Sequence, residues 1–211
     1  MLYDTDTQVN VLLEEAEKKK QHGQHQEAIK ICESILHYDL DATEAYEEIA
    51  DNYLTLREYQ KAKRALDRAM VLNPASPNAN YLMGFVYSCM GKWKVSIDYL
   101  ERSDELFPNH PEILRCLGWS MYHDGQKKRG LILLERSLNL APEDTLILTD
   151  LGVLYMNEKD FERAGLMFKK VLVLDPDNEK ALECLNAVRF FSVEYGKIKK
   201  QMSGDTAAEQ E

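Results

Sequence analysis

The chain has 211 residues, 26 basic and 36 acidic, giving a formal net charge of −10 at pH 7. Affinity for phosphate comes from clustered lysine and arginine, so this acid excess argues against a general nucleic-acid binder. Hydrophobic residues at 45% and charged residues at 29% are the proportions of a folded chain, and only 10 glycines and 6 prolines favour helix. The longest apolar runs are short, as at Val171-Leu172-Val173-Leu174, where a membrane-spanning helix needs roughly 18 residues. The N-terminus, Met1-Leu2-Tyr3-Asp4, is acidic where a secretory signal carries a basic stretch. Cys32, Cys89, Cys116 and Cys184 form no C-x-x-C pair. A cytoplasmic location with reduced thiols and no membrane insertion is the expectation.

Residues 1–8 read as an N-terminal extension, and from residue 9 a period of 34 organises the chain. Pro74, Pro108, Pro142 and Pro176 stand 34 apart, as do Gly84, Gly118 and Gly152. Repeats beginning at 9, 43, 77, 111 and 145 place those glycines at repeat position 8 and those prolines at position 32. Pro77 and Pro111 fall at position 1, where a helix tolerates proline because its N–H has no partner. Positions 4, 7, 8 and 11 form one amphipathic stripe, for example Tyr46, Ile49, Ala50 and Tyr53. Positions 20, 24 and 27 form a second, for example Ala164, Phe168 and Val171. Between them, position 15 carries Gly23, Gly91 and Gly125, which predicts a turn. Each unit is therefore helix–turn–helix, and small residues at positions 8 and 20 let the two backbones approach.

This pattern resembles the tetratricopeptide repeat family over residues 9–178. The resemblance implies an all-α solenoid, a right-handed superhelix of antiparallel helix pairs, in five repeats (9–42, 43–76, 77–110, 111–144, 145–178). The first repeat departs most, with Glu15 at position 7, Lys19 at position 11 and Leu40 at position 32, as suits an end unit with one face in water. Residues 179–202 begin like a sixth first helix (Leu182, Leu185, Val188), and the resemblance implies a solvating cap helix there. Residues 203–211 read as a disordered acidic tail.

Catalytic constellations are not evident. His22 and His25 straddle a turn without a third ligand, and a zinc site wants three or four, so they read as solvated. His110 reads as ending a turn before Pro111, and His37 as lying near a helix C-terminus. Cys32 occupies core position 24, whereas Cys116 and Cys184 at position 6 read as nearer the exposed side. No G-x-S-x-G, G-x-G-x-x-G or P-loop motif occurs. The expectation is a non-enzymatic protein with no cofactor and no metal.

The surface of the first helices remains. Positions 2, 5, 9 and 12 lie more than 100° from the packed stripe at 100° per residue. In arrays of the resembled family this stripe lines a concave groove that takes peptides or helices. Here its first part is acidic, with Glu44, Glu47, Glu48 and Asp51. Further along it is apolar and aromatic, with Tyr81, Leu82 and Phe85, then Arg115, Trp119 and Tyr122, then Val153 and Met156. Tyrosine and tryptophan anchor protein contacts, and acids pair with basic groups. The carboxylate clamp of heat-shock co-chaperones is absent: no repeat has lysine at position 5, and the second repeat has Glu47 and Asp51 at positions 5 and 9. A client protein or peptide with a basic or amphipathic segment is the expected partner. Two further readings stand beside this one: a dedicated chaperone of a secretion or assembly system, and a structural assembly protein that self-associates through the same patch. The aromatic stripe has an alternative too, packing internally, with Phe190 and Phe191 tucked under the cap.

Overall fold

Every segment that carries the apolar stripe is helical, and among the described residues there is no strand. The computed structural model describes residues 5–208. Its helices are α1 (Thr5–Gln21), α2 (His25–Tyr38), α3 (Thr43–Thr55), α4 (Tyr59–Leu72), α5 (Pro77–Cys89), α6 (Trp93–Leu106), α7 (Pro111–His123), α8 (Lys127–Leu140), α9 (Thr145–Asn157), α10 (Phe161–Leu174) and α11 (Glu179–Ala208). The second helices begin at residues 25, 59, 93, 127 and 161, and the first helices from α3 onward at 43, 77, 111, 145 and 179, each 34 apart. Pro77 and Pro111 sit at the first turn of their helices, and the Ser76 and Asp144 side chains accept hydrogen bonds from free amides of the helices they precede.

Two compact units divide the chain, Met1–Lys127 and Lys128–Glu211. In the first, α1 to α7 pack each helix on the next, and the first helices α1, α3, α5 and α7 also touch side by side. In the second, α9 and α10 pair and α11 lies on α10. Position 24 is fully buried in every repeat (Cys32, Leu66, Leu100, Leu134, Phe168). At position 8 the first two repeats carry Ala16 and Ala50, whereas Gly84 faces Leu100 and Gly152 faces Phe168. A Cβ on Gly84 would stand 2.5 Å from Leu100 Cγ, and one on Gly152 2.7 Å from Phe168 Cζ. Glycine is therefore fixed there by packing rather than by backbone conformation.

Backbone conformation governs position 15 instead. Gly23, Gly91 and Gly125 adopt φ of 73°, 69° and 94°, and so do the non-glycines at the same position, Arg57 at 59° and Lys159 at 61°. The left-handed geometry belongs to the turn, and arginine and lysine hold it at a steric cost. Arg57→Gly is accordingly expected to raise stability by about 1 kcal/mol, read as a higher denaturant midpoint. An unchanged or lower midpoint would show that the Arg57 side chain contributes as much as its backbone costs.

The termini differ from the sequence expectation. Helix α1 begins at Thr5, four residues before the first repeat frame, while residues 1–4 lie outside the described residues. Helix α11 runs past 202 to Ala208, so the backbone of 203–208, expected as a disordered tail, continues the helix; residues 209–211 lie outside the described residues. Each added residue closes one further backbone bond on an existing helix, which is less demanding than nucleation.

Candidate protein-binding face

The first helices of the first unit present one face whose two ends differ in chemistry. At the acidic end a cleft of about 570 Å³ is lined by Leu13, Glu14, Glu17, Lys18 and Gln21 of α1, Glu44, Glu47 and Glu48 of α3, and Asn78 of α5. Glu44 is exposed, as is Glu14, and neither has a hydrogen-bond or ion partner among the described residues. Glu47 is buried: its carboxylate accepts from Ser76 Oγ at 2.5 Å and Asn78 Nδ2 at 2.8 Å. It ties α3 to the start of α5 rather than facing a ligand.

Lys20 of α1 organises the rest. Its ammonium contacts Glu17 at 2.5 Å, Glu48 at 2.9 Å and Asp51 at 3.0 Å. Burial works against the charge on Lys20, yet the three carboxylates outweigh it and hold its proton above the ordinary lysine range. Burial also raises Glu48, with the Lys20 hydrogen bond offsetting only part of the effect. One cation thus serves three acids, and the face keeps a net negative charge. The register explains the contact: position 12 of one first helix meets positions 6 and 9 of the next.

At the other end the rings are held by polar contacts. Tyr81 stacks on Phe85 with centroids 6.3 Å apart, and its hydroxyl donates to Glu112 Oε1 at 2.7 Å. Burial, followed by the Cys116 and Glu112 charges, keeps that phenol protonated. Glu112 also faces Arg115 at 4.0 Å. Trp119, half-buried, lies against His123, whose ring also meets Trp93 and Tyr122. A second cavity, about 380 Å³, is lined by Pro77, Asn78, Tyr81, Phe107, His110, Glu112 and Ile113. Asn78 lines both cavities, so the acidic and aromatic ends are contiguous. Beneath them Ser96 Oγ bonds the Gly84 carbonyl at 2.8 Å and Ser120 Oγ at 2.9 Å, locking α5, α6 and α7 together.

Several expected positions are covered. Leu82 and Tyr122 are buried along with Glu47, and so is Cys116, which the sequence places nearer the exposed side. For Glu47, Leu82 and Cys116 the cause is lateral: α1, α3, α5 and α7 abut in turn, and side chains at positions 5 and 6 fall in that seam. Val153 and Met156 are half-buried on α9 of the second unit. His25, expected as solvated, is half-buried and bonds the fully buried Asn52 at 3.0 Å, whereas His22 is exposed and its Nδ1 meets the Lys18 carbonyl at 2.6 Å. His110 caps α7, and its buried Nδ1 has no hydrogen-bond partner. The sequence reading missed Lys20, Glu14 and Glu17 because it began at the second repeat; their positions 12, 6 and 9 are the signal that finds them.

No group of three or more histidine, cysteine or acidic side chains is arranged to hold a metal among the described residues. No helix among them is long and apolar enough to cross a membrane. Burial pushes the Cys32 thiol up to about 12, keeping it protonated. This face offers carboxylates as hydrogen-bond acceptors and aromatic rings as apolar surface.

The fold and face together define an all-α helical-repeat protein. The tetratricopeptide repeat family profile matches residues 43–76 and 147–178. No curated protein matches the sequence. Among solved structures, TTC0263, a thermophilic TPR protein of Thermus thermophilus, superposes with a TM-score of 0.76 at 14% identity, over 86% of this chain and 99% of that one. PilW, described as a widely conserved type IV pilus biogenesis factor, gives 0.73 at 20% identity, over 88% of this chain and 91% of its own. YrrB, described as a TPR protein with an unusual peptide-binding site, gives 0.58 at 22%, over 82% and 89%. The chain has a tetratricopeptide-repeat fold, with the family's repeat recognised at residues 43–76 and 147–178.

Proposed function

We propose that the chain is a non-enzymatic binding module that holds a segment of a partner protein, extended or helical, on the first-helix face of α1, α3, α5 and α7. One observation carries this reading. Exposed, unpartnered carboxylates (Glu14, Glu44) line a cleft that adjoins the cavity of the half-buried Tyr81, whose ring is held by Phe85 and Glu112, with half-buried Trp119 on α7 set against His123. Because the face is ordered in advance, the incoming segment bears most of the ordering entropy. The match is a segment with lysine or arginine beside an aromatic or aliphatic anchor, the acids steering it and the rings seating it. The peptide-binding site named for YrrB supports this use of the scaffold.

Panning a random-peptide library on the chain tests the reading. Enriched peptides should combine basic and bulky apolar residues, and raising salt should weaken them. Trp119→Ala should cost about 2 kcal/mol of binding, and Tyr81→Ala/Trp119→Ala more, with the helical circular dichroism unchanged. Absence of enrichment, or peptides that bind the double variant as well as the wild type, would overturn it.

A further inference from the structure

Helix α11 has 30 residues where α3, α5, α7 and α9 have 13. Its buried residues lie in its first part: Ala181, Leu185 and Val188, at the spacing of one helical face. Beyond Val188 no described residue is buried, and five large apolar side chains are exposed, Phe190 at 62%, Phe191 at 49%, Val193 at 58%, Tyr195 at 40% and Ile198 at 51%; of these Tyr195 rests its ring edge-on against Phe161 of α10. Phe190 and Phe191, which the alternative of internal packing would tuck under the cap, touch each other's rings. The same stretch reverses the charge of the chain: residues 189–200 carry four basic residues against one acidic, in a protein of net charge −10.

A further repeat is a poor fit for α11. Position 8 is alanine or glycine in all five repeats, yet here it is Asn186, and position 11 is Arg189. These polar groups block the close approach of a second helix. Symmetric pairing of two α11 helices would set bases against bases. The opposite chemistry lies in the first unit, where five glutamates and Lys18 line a cleft that adjoins the Tyr81–Phe107 cavity.

We propose that the C-terminal part of α11 of a second copy occupies this face, so that chains associate head to tail. The inference rests on the preceding reading of the face and names its partner. Arg189 and Lys197 meet Glu14 and Glu44, and Phe190 with Phe191 seat against the aromatic end. Donor and acceptor are different surfaces, so the contact is heterologous and does not close on itself, giving open chains whose mass rises with concentration.

Two full-length variants test this by sedimentation velocity, with circular dichroism as the folding control. Glu14→Lys/Glu44→Lys alters exposed residues of the face, and Phe190→Ser/Phe191→Ser alters exposed residues of the helix. The wild type should grow beyond twice its monomer mass with concentration and fall back at high salt. Each variant alone should stay monomeric. Their equimolar mixture should form a one-to-one dimer and stop, because one intact helix meets one intact face. A mixture that stays monomeric, or variants that assemble like the wild type, would overturn the proposal. So would a monomeric wild type, whether α11 folds onto its own chain or carries the protein onto phosphatidylserine vesicles. If library peptides still bind through Tyr81 and Trp119 in that case, the binding face stands and only its occupant is wrong.

Discussion

Phe168→Ala is expected to destabilise the second unit by about 3–5 kcal/mol, the range for removing a fully enclosed aromatic ring. Phe168 is the largest fully buried side chain among the described residues, and its ring fills the space left by Gly152 across the α9–α10 pair. The complementary change is Gly152→Ala. Alanine improves helix propensity by about 1 kcal/mol, but its Cβ would stand 2.7 Å from Phe168 Cζ and 2.8 Å from Cε1. An enclosed ring has nowhere to retreat, so overpacking wins and the net cost is about 1–3 kcal/mol. In a Phe168→Leu background the same alanine should cost less, giving a coupling energy that two independent sites would not show. A repeat array need not unfold in one step, so amide hydrogen exchange is the measurement. Protection in α9 and α10 should fall while that in α3 to α6 persists. Additive costs, or a Phe168→Ala effect below about 1 kcal/mol, would show that positions 8 and 24 do not form one packing unit.

That pair also shows what the sequence could reveal. Packing between the two helices of a repeat obeys one frame, so the frame alone places Phe168, Leu66 and Cys32 in the core and a turn at residue 15 of each unit. It even assigns a left-handed turn to Arg57 and Lys159, whose residue type hides it. The candidate site was less legible. An angle around one helix says nothing of the neighbour that covers it, so Glu47, Leu82 and Tyr122 looked open and are buried. Their contacts cross from one repeat to the next: Lys20 reaches 28 and 31 residues to Glu48 and Asp51, and Asn78 reaches 31 back to Glu47. Reading positions 12, 6 and 9 of adjacent first helices against each other recovers the Lys20 contacts, a step that a helix-by-helix reading omits. The alternative that tucks Phe190 and Phe191 under the cap meets a different limit. An apolar residue on a helix end reads as buried only if something lies over it, and periodicity cannot say whether anything does.

Replacing Lys20 with methionine should trade stability for binding. Methionine keeps the apolar stem that packs along α1 and removes the charge. Glu17, Glu48 and Asp51 are then left facing one another, half-exposed. Loss of one partner from a fully buried pair costs about 3–5 kcal/mol, and the exposure here reduces the expectation to about 2 kcal/mol at neutral pH. Burial already lifts Glu48 above the usual carboxylate range, and without Lys20 nothing offsets that rise. A group whose folded pKa lies above its unfolded value binds its proton more tightly when folded, so its stabilisation is present at low pH and is lost as pH rises through the folded pKa. The variant should therefore recover part of its deficit in mildly acidic buffer, and Lys20→Met/Glu48→Gln should recover it at neutral pH. The face meanwhile gains one negative charge, so a basic library peptide should bind several-fold more tightly and with a steeper salt dependence. Denaturant midpoints at the two pH values and a peptide titration decide the matter. Lost stability with unchanged binding would make Lys20 a structural tie between α1 and α3 alone, whereas both effects together would show it holding the place that a partner's cation takes.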